Sequence, residues 1–173
     1  MSGASTTAKS ESVSACDEQG EDDTRERLLT DANINPRTGL ATDYLNHFNE
    51  AIMLLEMIPD IPECAEDFIG WRPRSYREHF EASHLSAYEL IIRAYDEADP
   101  LYRAQFDRTV DSMTAILLAV NDGMRAARDD RRMILARQAA DWIKPLLLRA
   151  DRLIHGSLET GADRDLKQEA PEK

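Results

Sequence analysis

Cysteine occurs only at positions 16 and 64. Two are too few for the disulfide framework of a small secreted domain, so the chain reads as one made for a reducing, cytosolic compartment. Long apolar runs are missing too. The longest, residues 115–120, has six residues, against the roughly 20 that a membrane helix requires. Residues 1–30 hold no apolar stretch of the kind a secretory signal needs. Glycine is scarce, and six of the seven fall in presumed loops or ends, which leaves no Gly-rich loop to cradle a phosphate. No Cys-x-x-Cys pair is present for structural zinc, and neither a His-Glu-x-x-His helix nor a Gly-x-Ser-x-Gly elbow occurs. Alternating apolar and polar residues, the mark of a half-buried strand, appear nowhere. Lysine is rare as well, four against 17 arginines, a bias that GC-rich bacterial codon usage produces without any functional cause.

Acid is what the chain has in excess: 33 Asp and Glu against 21 Lys and Arg, a formal charge of −12. That balance excludes sequence-independent nucleic-acid binding, which depends on basic side chains neutralising phosphates. It equally disfavours attachment to anionic membrane. Residues 1–37 and 157–173 are polar and acidic, too poor in large apolar groups to offset their ordering entropy, and are expected to be mostly disordered. Within the first of these, residues 21–29 suit a helical turn, with Leu28 and Leu29 available for docking.

Residues 38–156 are patterned as helices throughout. Tyr44, Phe48, Ala51, Leu55 and Ile58 draw one stripe, ended by Pro59 and Pro62. A short helix is expected through Ala65, Phe68 and Ile69. A second long helix opens with the capping box Ser75-x-x-Glu78 and runs to about Ala98, before Asp99–Pro100. The third carries Phe106, Val110, Met113, Leu117, Val120 and Met124. The fourth begins near Asp129 and Asp130, whose charge suits a helix N-terminus, and stops at His155–Gly156; Pro145 inside it is expected to kink or split it. The expectation is an all-α, antiparallel four-helix bundle-like domain with a short extra helix between the first and second long ones.

One constellation invites chemistry. On a continuous second helix, Glu81 and His84 share the inward face with Tyr88, Ile92 and Tyr95, at about 100° per residue. The leading reading is a buried network of Arg77, Glu81 and His84, extended by Tyr44 or Gln138. Glu81-x-x-His84 also resembles the motif with which di-iron and di-manganese bundles present two ligands on one helix face. That resemblance implies iron, manganese or zinc, with His47 and Glu50 of the first helix completing the set. The second Glu-x-x-His that such bundles carry is absent, since Asp151-x-x-x-His155 has the wrong spacing. Histidine phosphotransfer domains offer a third resemblance, through an exposed His47 or through His84 followed by the small Ser86 and Ala87, although the Lys-Gly of that family is missing.

The remaining candidates concern partners. Trp71 either covers the bundle end or anchors a partner protein, as Trp does at binding hot spots. Trp142 falls with Leu135, Leu146 and Leu153 and reads as core. Leu118, Leu147 and Ile154 lie off the main stripes and mark an apolar patch for self-association or partner binding. The basic stretch Arg125, Arg128, Arg131, Arg132 and Arg137 is diluted by Asp129 and Asp130 and reads as a solvated helix junction. With no catalytic set assembled, the expected function is a helical protein–protein interaction or regulatory module, binding a partner or a second copy of itself.

Overall fold

The computed structural model describes residues 11–158, and among these the chain is all-helical. Its first element departs from expectation. Helix α1 (Glu11–Asp31) occupies much of the segment expected to be disordered; residues 1–10 and 159–173, where that expectation also fell, lie outside the described residues. The helix forms because Glu, Arg and Leu favour it locally and because its C-terminal end is firmly closed. Asn33 takes a left-handed conformation (φ +57°), the Ile34 amide donates to the Leu29 carbonyl at 2.9 Å and the Asn33 amide to Thr30 at 3.0 Å. This Schellman pattern brings the residues at its two ends together, and both Leu29 and Ile34 are buried. Packing therefore starts at Leu29, ahead of the expected boundary at residue 38.

A tight loop follows, in which Gly39 (φ +71°) passes so close to the backbone of Ala94 that an added Cβ would lie 2.5 Å from its carbonyl oxygen. Thr38, buried, donates its hydroxyl to the Ile154 carbonyl at 2.7 Å. A 3-10 turn (Thr42–Leu45) leads into α2 (Asn46–Met57). Tyr44, Phe48, Ala51, Leu55 and Ile58 are all buried, as the stripe predicts. Helix α3 (Cys64–Gly70) is the expected short helix.

The second long helix does not exist as one piece. Ser75 and Glu78 form the full capping box at the start of α4 (Tyr76–Ala82), but the chain then breaks and restarts as α5 (Tyr88–Glu97). His84 sits in the break with φ +52°. The two short helices fold back on each other: Tyr76 stacks on Tyr95 with centroids 4.2 Å apart, and Arg77 bonds both carboxylate oxygens of Asp96 at 2.5 and 2.7 Å. Those two contacts supply what a straight helix would forgo.

Asp99 caps α6 (Pro100–Arg125), whose Phe106, Met113, Leu117, Val120 and Met124 are buried and whose Val110 is half-buried. Helix α7 (Asp129–Ile154) runs through Pro145 as one helix. Proline removes the bond to the carbonyl four residues earlier, that of Asp141; both residues are exposed, so water can serve the freed carbonyl. Gly156 (φ +83°) ends α7 in a second Schellman pattern, with Gly156 and Ser157 amides donating to Leu153 and Arg152. Helix α7 packs on α6 and α2, and α3 bridges α2 and α6, closing a ring of four around the core. No helix among the described residues is long and apolar enough to cross a membrane.

Candidate functional site

The break after Ala82 decides the fate of the Glu81–His84 pair. With no continuous helix between them, the two residues do not share a face, and both are exposed. The expected Arg77–Glu81–His84 network is absent as well, because Arg77 bonds Asp96 instead. Of the proposed metal ligands, Glu50 is exposed and His47 is buried. Among the described residues, no three His, Cys, Asp or Glu side chains meet in a group that could hold a metal ion. The periodicity also reversed the two histidines considered for phosphate transfer: His84 faces solvent, and His47 is enclosed.

What encloses His47 is a cluster of rings that the sequence did not show. It stacks on Trp71 with centroids 4.7 Å apart, meets Phe48 edge-on, and lies 6.0 Å from His79. Tyr44 packs against His79, Tyr76 and Phe106. The Arg74 amide donates to His47 Nε2 at 3.0 Å, so that nitrogen must be unprotonated and the ring neutral. Burial, with His79 and Arg74 nearby, lowers the His47 pKa to about 4. Burial and Arg74 lower that of His79 as well. A ring with its basic nitrogen already occupied and so low a pKa is poorly suited to act as a general base near neutrality. Its work is to hold the chain where it enters α4, together with the Tyr44 hydroxyl, which donates to the Arg74 carbonyl at 2.8 Å. Trp71, 7% exposed, belongs to this cluster and is no partner anchor. Its Nε1 and His79 Nδ1 are buried without a hydrogen-bond partner among the described residues.

The partner candidates sort differently. Ile154 is fully buried and so offers nothing to a partner, and Leu147 is half-buried against the core. Leu118 is 41% exposed, but it lies on the side of α6 from which Asn121 and Arg125 reach the carbonyls at the end of α3, at about 100° per residue. Trp142, expected in the core, is 54% exposed, between Ile134 at 58% and Leu148 at 51%. Helix α7 turns its alanines inward: Ala136, Ala139, Ala140 and Ala150, with Ile143, Leu153 and Ile154, are its buried face. Small inward side chains let it approach its neighbours closely and rotate the larger residues outward.

Ser112, Ala115, Ala119 and Gly123 of α6 are all exposed, and a Cβ on Gly123 would touch Leu135 of α7 at 3.6 Å. The same rotation therefore puts the small residues on the outer flank of α6 that adjoins α7. The outer side of α6 thus presents small residues, while on α7 the exposed Ile134, Trp142 and Leu148 are spread over about 120° of the helix.

The chain matches no family model, no curated protein and no solved structure.

A smaller apolar feature lies elsewhere. Between α1 and α5 runs a cleft of about 410 Å³ lined by Leu28, Leu29, Leu90 and Ala94 and bridged by the Arg25–Glu97 ion pair at 2.7 Å. The chemistry it offers is mainly apolar contact, with Thr24, Arg25, Arg93 and Glu97 also in its lining.

Proposed function

We propose that this protein is a helical interaction module without catalytic chemistry of its own, and that the outer face of α6 and α7 is its working surface. The observation that carries this reading is the exposure of three large apolar side chains on α7, Ile134, Trp142 and Leu148, each more than half exposed. Water gains nothing by contact with such side chains, and covering them would release roughly 1.5–3 kcal/mol for each one fully buried. Tryptophan is also the residue type most enriched where binding energy concentrates. In this reading α2, α3, α6 and α7 serve as a four-helix bundle-like scaffold that holds these side chains in place, and the buried His47 cluster fixes the chain around it.

A photo-activated cross-linking residue at position 142, installed in the full chain within the cells that make it, tests the reading. A discrete adduct from position 142, with none from the same residue at exposed Glu89 on α5, is the expected result. Adducts from both positions alike, or from neither, would remove the α6–α7 face as the working surface.

A further inference from the structure

The α6–α7 surface proposed above makes no use of the cleft between α1 and α5. Leu28 is 54% exposed there, beside Leu29, Leu90 and Ala94. The size of the cleft narrows the choice of occupant. Four apolar side chains around about 410 Å³ receive one or two side chains of a visitor, whereas a specific protein pair engages roughly 20–30 residues a side. An occupant with so little contact stays only when held close by other means. A covalent tether does that, since a short flexible linker supplies an effective concentration in the millimolar range.

This chain contains a segment so tethered. Helix α7 closes at Gly156, where an added Cβ would lie 3.2 Å from the Arg37 side chain. Arg37 lines a hollow of about 120 Å³ that shares Arg25, Leu29, Ala94 and Glu97 with the cleft. The last described residue, Leu158, is half-buried and packs on the core. Residues 159–173 therefore start from beside the cleft. Among them Leu166 is the one large apolar side chain. It follows Leu158 by eight residues, a reach of up to about 26 Å, enough to cross the hollow and enter the cleft. Charge does not oppose the approach. Asp163, Arg164, Asp165 and Lys167 surround Leu166 and cancel, and the cleft lining likewise carries both signs, in Arg25, Arg93 and Glu97. On a chain of −12, a stretch without net charge is the one least repelled. We infer that residues 163–167 form a strap across the α1–α5 cleft, with Leu166 inserted beside Leu28 and Leu90. The strap is then a permanently attached competitor for any apolar molecule that enters there.

Paramagnetic broadening in methyl spectra of the full chain is the test. A nitroxide is attached at Gln168→Cys, two residues beyond Leu166, with Cys16→Ser so that the only other thiol is the buried Cys64. The expected result is loss of intensity at the methyl signals of Leu28 and Leu90, with those of Leu118 on α6 and Ile134 on α7 unaffected. Adding Leu166→Ser, a change outside the packed helices, should restore the Leu28 and Leu90 signals. Intact Leu28 and Leu90 signals in the nitroxide-bearing chain overturn the strap, and so does broadening that survives Leu166→Ser. Broadening seen only when a spin-labelled chain is mixed with a separate isotope-labelled one also overturns it, and gives the cleft to a second copy.

Discussion

His47 shows how much a single buried ring can ask of the solvent around a protein. Unfolded, its imidazole takes a proton near pH 6.5; folded, it resists until about 4, because protonation would bury a charge and set Nε2–H against the Arg74 amide. Between those values the unfolded chain binds more protons than the folded one, so stability falls as pH drops through the window and levels off below about 4. His79 contributes with the same sign. Thermal midpoints measured from pH 7 to 4 should decline accordingly. His47→Gln keeps an acceptor for Arg74 while removing the proton site, and should flatten that decline; an equally steep one would show that His47 is not what the fold loses in acid. Asn33 and His84 mark the residue scale in another way. Each holds a left-handed backbone, and Asn tolerates it far better than His does.

At the scale of elements, α3 depends on its neighbours. Seven residues are too few to stay helical alone, and Asn121 secures the end of the helix: its Nδ2 donates to Phe68 and Ile69 carbonyls at 2.8 and 3.2 Å, while Arg125 bonds Asn121 Oδ1 and the Ile69 carbonyl. Asn121→Leu would remove one donor from each carbonyl, leaving Phe68 to the Trp71 amide and Ile69 to Arg72 and Arg125, and should cost about 0.5–1.5 kcal/mol in urea unfolding, with amide exchange quickening first in α3. Local signals made much of this level legible. The Ser75–Glu78 box, the Asp99–Pro100 start and the α6 heptad each declare themselves through residues in contact along one helix. The α4–α5 break did not, since residues 83–87 contain neither Gly nor Pro; it is set by Tyr76 meeting Tyr95 and Arg77 meeting Asp96, contacts between elements. The inward face of α7 was legible except at Trp142. Leu153 is buried and Leu135 and Leu146 pack half-buried on the core, but Trp142 is exposed while Ala136, Ala139, Ala140 and Ala150 are buried, because close approach, and not side-chain size, decides that seam. Trp142 is outside for this reason, while Trp71 is inside, stacked on His47.

Across the whole molecule, the loop after α1 and the end of α7 are tied together. The Thr38 hydroxyl reaches the Ile154 carbonyl over a separation of 116 residues, Arg37 packs on Gly156, and Tyr102 donates to the Gly156 carbonyl at 2.8 Å. No periodicity along the chain could reveal such contacts, which is why the expected boundary at residue 38 missed Leu29 and Ile34. Thr38→Val preserves shape and removes the buried donor, so it should destabilise the entire cooperative unit by about 1–2 kcal/mol; a loss confined to the exchange of α1 amides would instead mark α1 as a separate unit. The ring has a further consequence in time. A ribosome makes α7 after every helix it packs against, and α2, α3 and α6 cannot bury their shared surface until Ile154 has left the exit tunnel. During those seconds the nascent chain carries its own unmet core, and the last of the described helices to be synthesised is the one that ends its exposure.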